Sequence, residues 1–419
     1  PHATRPCIQS SRLCDPACGS GHMLTYAFDL LYAIYEEEGY APSEIPGLIL
    51  ANNLHGTEID PRAGALASFA LTMKARGKQR TFFNKQVTPN ICVIEPISFT
   101  PGELDFLVTK DGDKCEEIAF WTQFAEADTF GALIQPDAQL TARLARHLPY
   151  LGAEGDLLSS HVIRLAERVV GQAEYLIPRY SVVLANPPYM GGRNMDRGLS
   201  EFAKSSYPMS KSDLYAMFIE RNAQLSVAGG RVGMITMQSW MFLGAYANLR
   251  KHVLGELSVQ SMAHLGTGAF DSIGGEVVAT TAFVLRVTPS EVPGVYLGLA
   301  DYRGEAVQSA KVRDIAKNEG SELRFDIASS DFDVLPLASM AYWLSADERA
   351  IYRDHPQLGT FAEPRVGIQT GDNDRFLRYW WEVANDRTCR IAKSDADAVA
   401  SGARWFPVQK GGTARRWTG

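Results

Sequence analysis

The sequence predicts an α/β protein built on a parallel sheet, and three observations predict it. Apolar strands alternate with helical patterns between residues 12 and 97, a glycine-rich string closes the first strand, and a second strand with a turn string resumes the rhythm at Tyr180. A strand-helix-strand-helix-strand order places parallel strands side by side with helices on their faces.

Taken in order, Arg12 to Cys14 is a short strand that ends in D-P-A-C-G-S-G-H, Asp15 to His22. Helical periodicity follows from Met23 and stops near Gly39. Asn52 to Asp60 is the second strand, and Pro61 starts another helix, as proline does at a first helical position. Ile91 to Ile97 is a third strand candidate. The stretch from about Thr100 to Pro178 is charged and helical and breaks the rhythm, so it reads as an insertion. The sheet resumes at Tyr180 to Tyr189. A helix from about Leu214 to Leu225, a turn at Ala228-Gly229-Gly230, a strand R-V-G-M-I-T-M and a strand Thr280 to Val287 follow. Residues 289–356 show no dominant period and read as a linker or accessory segment; residues 357–419 are rich in Gly, Arg and Trp. The expected division is therefore 1–288, 289–356 and 357–419.

Composition narrows the function classes. The 419 residues are 46% apolar and 21% charged with a net charge of −7, an ordinary globular balance. That argues against a protein coating nucleic acid by bulk charge, though not against a basic cleft on an acidic body. The six cysteines (Cys7, Cys14, Cys18, Cys92, Cys115, Cys389) form no C-x-x-C pair, so no metal site or disulfide framework is expected, and reduced thiols in a cytoplasmic protein are. The longest apolar stretch, Met23 to Tyr35, is interrupted by Thr25 and Asp29 and is too short to span a bilayer. The chain opens with Pro1 and runs at once into a motif, which reads as an N-terminal truncation.

Two strings carry chemistry. Asp15, Pro16, Ala17, Cys18, Gly19, Ser20, Gly21 and His22 stand where an open α/β sheet binds a nucleotide-like ligand, at the carboxyl end of the first strand. Gly19 and Gly21 allow a tight turn and close approach, and the helix N-terminus behind them favours a ligand carboxylate. Glu58, followed by Ile59, ends the second strand, where a carboxylate accepts hydrogen bonds from ribose hydroxyls. The second string is Asn186-Pro187-Pro188-Tyr189, after Val182-Val183-Leu184. An amine conjugated to an aromatic ring is a poor nucleophile because its lone pair is delocalised. The Asn186 side-chain oxygen and the Pro187 carbonyl can accept both amine hydrogens and hold the lone pair towards a methyl donor. Pro187 and Pro188 stiffen the loop, and Tyr189 offers a face on which an extruded base stacks.

D-P-A-C-G-S-G, a strand-end Glu and N-P-P-Y together resemble the γ-type amino-methyltransferases of restriction and phage-defence systems. The string from Ile49 to Leu71, A-D-T-F-G-A-L-I at Ala127 to Ile134, and the string from Gly266 to Leu285 resemble the BREX-type, PglX-like adenine-specific enzymes. The resemblance implies a Rossmann-like S-adenosylmethionine-dependent methyltransferase fold with a helical insertion and a C-terminal extension leading into a truncated target-recognition region. It implies S-adenosyl-L-methionine held by Asp15 through His22, Glu58, Ile59 and Asp128; for the contact to the cofactor adenine, Glu95 and the pair Asp128 and Phe130 are rivals, and Asp128 is preferred. Catalysis falls to Asn186, Pro187, Pro188 and Tyr189, with Tyr189 and Phe270 sandwiching an adenine flipped from double-stranded DNA and no metal involved. Asp213 and Tyr215 are candidates for lining the target pocket. Arg375, Arg404, Arg415 and Arg416, among Trp380, Trp381, Trp405 and Trp417, suit phosphate and base contacts. The implied partners are DNA and other defence-system proteins, with no membrane.

The loop chemistry alone would serve other amines, so a protein amide, an RNA guanine or a cytosine are alternative acceptors. A cofactor-binding module without catalysis, acting inside a defence complex, is the reading from another class. Two departures from the family's pattern bear on whether the chain acts alone: the upstream segment over the methionine end of the cofactor is absent before Pro1, and the recognition domain is not visible after Gly419.

Overall fold

The computed structural model describes residues 8–110, 112–151, 157–269, 278–362 and 371–408. The chain divides into two compact units, Pro1–Arg353 and Asp354–Gly419.

The first unit is organised by one nine-stranded sheet in the order β3-β2-β1-β4-β5-β7-β6-β8-β9. The strands are β1 (Leu13–Asp15), β2 (Leu54–Glu58), β3 (Asn90–Val93), β4 (Tyr180–Ala185), β5 (Ser226–Met237), β6 (Ser258–Gly266), β7 (Thr280–Arg286), β8 (Gly294–Gly298) and β9 (Arg324–Ile327). β1 to β5 are parallel, and β7 is antiparallel to both β5 and β6. Because β1 pairs with β2 on one side and β4 on the other, the strand order reverses there, which opens a crevice at the carboxyl ends of β1 and β4. The α/β, Rossmann-like expectation is met.

Helices α1 (His22–Glu37) and α2 (Pro61–Lys78) cover one face; α3 (Ala138–Leu151), α4 (Leu157–Tyr175), α5 (Leu214–Leu225) and α6 (Ala247–Glu256) belong to the other. Strand alternation explains the split: neighbouring residues of β1 point to opposite faces, so Leu13 packs with Leu24, Phe28, Leu54 and Leu71, while Cys14 packs with Val183, Trp121 and Val169. Sequence cues set the helix ends as read. Asp60 caps α2 by accepting the Arg62 amide, with Pro61 at the first position, and α1 ends just before Gly39, whose φ is +86°.

The region between β3 and β4 is helical, as expected, with shorter helices at Pro101–Leu107, Lys114–Thr122 and Ala127–Phe130 besides α3 and α4. Its apolar residues share the core beneath the sheet with Tyr180 and Val183. Two readings need correction. Ala228-Gly229-Gly230 is not a turn before β5 but an irregularity within it: Tyr180 pairs with Ser226 and Val182 with Arg231, and Gly229 takes φ +77°. Residues 289–356 are not a linker throughout, because β8 and β9 extend the sheet beyond β6, with Ser261 opposite Val295 and Tyr296 opposite Phe325. Both strands are short and carry charged or glycine positions, which hid their period.

The second unit is sparse. Its described helices bury no residue, the Tyr379 and Trp381 rings stack 4.5 Å apart, and Arg375 and Arg404 lie over Phe376 and Trp405. Trp380 is exposed beside them. Arg415, Arg416 and Trp417 lie outside the described residues.

Candidate active site

The glycine string leaves β1 and turns straight into α1. Cys18 donates its amide to the Thr57 carbonyl at 3.1 Å, and Thr57 Oγ1 donates to the Pro16 carbonyl at 2.9 Å, so the loop is laced to β2 beside it. Gly19 and Gly21 have φ of +54° and +86°, the left-handed region that glycine enters without strain. Gly21 is doubly constrained: a Cβ there would meet Ala67 Cα and Cβ of α2 at 3.1 Å. No side chain caps the α1 N-terminus, so its first amides keep their partial positive charge without a side-chain acceptor.

Glu58 is bound into this loop. Its Oε2 accepts the Gly19 amide at 2.7 Å, and its Oε1 accepts the amides of Ile59 and Asp60 at 2.9 and 3.0 Å. Three of roughly four acceptor sites are thereby used, and capacity remains on Oε2 for a hydroxyl. Asp15 is buried at the end of β1, and its Oδ1 accepts the Ala17 amide at 3.1 Å. Burial, with the Glu58 charge adding to it against that hydrogen bond, pushes the Asp15 carboxyl up to about 7. His22 and Ile59 are exposed at the rim.

The two rival acidic contacts are placed differently. Glu95 is engaged by the α4 side of the fold: its carboxylate pairs with Arg168, and its amide donates to Gln172 at 2.7 Å. Asp128 is exposed in the short helix Ala127–Phe130, whose following Gly131 sits against the end of β2. A Cβ on Gly131 would lie 2.8 Å from Ile59 Cγ2. Phe130 turns away from that strand end onto Phe202, the rings stacked 4.2 Å apart beside a cavity of about 360 Å³ that Gln123 and Ser206 also line.

The second string leaves β4 next to the first. Leu13 pairs with Val182 and Cys14 with Val183, so the chain emerges at Asp15 on one strand and Asn186 on its neighbour. Asn186 and Pro188 are exposed and Pro187 is buried, which fixes the loop from below while leaving the amide open. Tyr189 stands half-exposed, with its ring edge-on to Tyr215 at 5.8 Å and its hydroxyl 3.5 Å from the Ile235 carbonyl. Burial, with Asp213 adding to it, pushes the Tyr189 phenol up to about 12, so it stays neutral. Tyr215 is fully buried and shares a 2.7 Å hydrogen bond with Ser239. Asp213 points at backbone, its Oδ1 accepting the Met190 amide at 3.0 Å. Phe270 falls outside the described residues.

Sequence reasoning missed Ser239 and the buried Arg221 and Tyr207, taken up below. An arginine in line with the apolar positions Leu214, Met217, Phe218 and Leu225 of its helix was the available signal for Arg221; Ser239 and Tyr207 carried none.

Comparison with known proteins gives this arrangement its relatives. The family model described as Eco57I restriction-modification methylase matches residues 52–270, a span holding Glu58, Ala127–Ile134 and Asn186–Tyr189. The chain is 36% identical to the adenine-specific methyltransferase BrxX of Escherichia coli O9:H4 (strain HS), over 98% of this chain and 35% of that protein. It is 34% identical to the adenine-specific methyltransferase PglX of Lacticaseibacillus casei (strain Zhang), with the same two shares. The chain thus spans about a third of the length of these curated relatives. Among solved structures, a modification subunit of a putative type I restriction enzyme from Vibrio vulnificus YJ016 aligns over 77% of this chain and 52% of its own. Its TM-score of 0.44 and identity of 14% are too remote to argue from.

Proposed function

The chain belongs to the Eco57I restriction-modification methylase family, and from that premise we propose that it is the catalytic core of a DNA adenine N6-methyltransferase of a phage-defence or restriction-modification system. The observation that carries the proposal is the pairing of β1 with β4, which brings a glycine loop and an N-P-P-Y loop out side by side at the switch point of the sheet.

S-adenosyl-L-methionine fits the first loop. The uncapped start of α1 suits a carboxylate, Glu58 has acceptor capacity for a ribose hydroxyl, and Asp128 stands beyond Gly131 for the adenine amine. Asp15 through His22 and Ile59 form the remaining wall. When bound, this cofactor supplies an electrophilic methyl group on a sulfonium.

The chain's own residues then act on the target amine. Asn186 Oδ1 and the Pro187 carbonyl accept its two hydrogens, which aims the lone pair out of the ring plane and stabilises positive charge as it develops. Pro187 and Pro188 hold those oxygens still, so no reorganisation accompanies the reaction. Tyr189, and Phe270 by the family resemblance, stack on a base taken out of the duplex. Double-stranded DNA is the substrate in this reading, residues 357–419 lead into its sequence recognition, and the cytoplasm is the compartment. Among the described residues no helix is long and apolar enough to cross a membrane.

Transfer of labelled methyl to mixed duplex DNA tests the proposal, with protein and RNA as competing acceptors. Label in DNA that Asn186→Ala abolishes supports it; label in protein or RNA alone overturns it.

A further inference from the structure

Helix α5 is stitched to both halves of the site. At its N-terminus Asp213 Oδ1 accepts the amides of Met190 at 3.0 Å and Tyr215 at 3.3 Å. In return Leu214 donates its amide to the Met190 carbonyl at 3.1 Å, and Gly192 donates to Ser212 at 2.9 Å. The backbone that follows Tyr189 is therefore bonded into the first turn of α5.

Two turns on, roughly 12 Å along the axis, Arg221 is 2% exposed. Its guanidinium donates to the carbonyls of Ala132 at 2.7 Å and Ile134 at 2.6 Å, and to that of Leu176. Tyr207, also buried, donates its hydroxyl to the Leu133 carbonyl at 2.6 Å. Three successive carbonyls of A-D-T-F-G-A-L-I are thus held by two side chains. This is the segment whose Gly131 abuts Ile59 and whose Asp128 faces outwards beside it.

Burying a guanidinium costs several kcal/mol before its hydrogen bonds offset it, and an apolar side chain of similar volume would fill the space without that cost. What the arginine adds is direction: its fixed fork admits one arrangement of the carbonyls it serves. Asp213 does the same for the loop after β4, since one oxygen accepts from two amides that belong to different elements.

We propose that α5 is the common anchor of the two loops, with Arg221 and Tyr207 as positioning residues for the cofactor wall and Asp213 as the positioning residue for the target loop. The proposal rests on the methyltransferase reading and adds a division of labour between the two ends of α5, with Tyr207, which precedes α5 in the chain, holding the same segment as Arg221. Arg221 governs how tightly S-adenosylmethionine binds, and Asp213 governs how fast its methyl group is transferred.

The test uses the full chain with Tyr207→Phe, Arg221→Lys, Asp213→Ala and Asp213→Asn. Cofactor Kd is measured by calorimetry, and single-turnover methyl transfer to duplex DNA at saturating cofactor, both well below each variant's melting temperature. Tyr207→Phe removes one hydroxyl from a buried ring and folds even where Arg221→Lys does not. Losing one or two of these hydrogen bonds raises the cofactor Kd roughly 5- to 50-fold, more than it slows transfer at saturation. Asp213→Ala leaves the cofactor Kd as in the wild type and slows saturated transfer roughly 10- to 100-fold. Asp213→Asn, whose amide oxygen accepts the same two hydrogen bonds, restores most of that rate. Wild-type cofactor affinity in both Tyr207→Phe and Arg221→Lys, with only a lowered melting temperature, overturns the proposal. So does an Asp213→Asn as slow as Asp213→Ala. A wild type that binds no cofactor, both as this chain and as the full-length protein, refutes the methyltransferase reading itself, which the variants cannot do.

Discussion

Glu58 Oε2 accepts the Gly19 amide at 2.7 Å, a contact that ties the end of β2 to the turn between β1 and α1. The same carboxylate also receives two amides of its own strand end, so its position is set by three N–H groups and not by solvent. In the proposed cofactor reading, removing it takes away the acceptor for a ribose hydroxyl and frees the loop. Glu58→Ala is expected to weaken S-adenosylmethionine binding by about 1.5–3 kcal/mol, the worth of a hydrogen bond to a charged group, and Glu58→Gln by less. Calorimetry on the two variants checks the order; equal affinity in both and in the wild type contradicts it.

The two loop glycines should differ in cost. Both have positive φ, and an L-residue there loses about 1–2 kcal/mol. At Gly19 a Cβ meets nothing within 4 Å, so Gly19→Ala should show that cost alone. At Gly21 it meets the Ala67 backbone of α2 at 3.1 Å, so Gly21→Ala should be clearly the less stable. Denaturant unfolding of the two variants distinguishes them, and equal midpoints would count against the packing of α1 on α2.

Asp15 gives a pH signature. Its carboxyl is raised from 3.8 to about 7 in the fold, chiefly by burial. Between those values the folded state holds a proton that the unfolded state has released, so this group's contribution is complete below pH 3.8. It is lost as pH rises to about 7, with a slope of about 1.4 kcal/mol per pH unit. Asp15→Asn keeps an oxygen for the Ala17 amide and removes the titration. The wild type should therefore lose stability relative to Asp15→Asn between pH 4 and 7; a constant difference across that range contradicts the assignment.

Tyr189 is expected to work by its face. Its hydroxyl makes only a long contact to Ile235, so Tyr189→Phe should transfer methyl groups nearly as the wild type does. Tyr189→Ala loses base stacking worth about 1–3 kcal/mol, a loss that kcat/KM on duplex DNA reports. A phenylalanine variant as impaired as the alanine variant would assign the work to the hydroxyl.

Much of this arrangement was legible in the sequence because it rests on local signals. Pro61 after Asp60, the glycines of the first loop and the run Val182 to Tyr189 each fix their own backbone, and α5 begins and ends where its pattern does. What escaped was non-local. β6 carries Gln260, Ser261 and His264 and shows no strand period, yet it pairs on both sides because β7 and β8 find it. Residues 289–356 looked like a linker or accessory segment because β8 and β9 are short and take their stability from the edge they join. The choice between Glu95 and Asp128 could not be read from spacing either. What surrounds Glu95 is non-local: Arg168 pairs with its carboxylate and Gln172 accepts its backbone amide, both from α4 in a distant part of the chain.

The most direct test of the central claim is the nucleoside identity of the methylated product. Duplex DNA incubated with the chain and labelled S-adenosylmethionine is digested and its nucleosides separated, beside Asn186→Ala. N6-methyladenine from the wild type is the predicted result, with Asn186→Ala lowered roughly 100- to 1,000-fold, the effect of removing one group that stabilises a developing charge, at unchanged cofactor affinity. Undiminished N6-methyladenine from Asn186→Ala, or label confined to cytosine, would contradict the account.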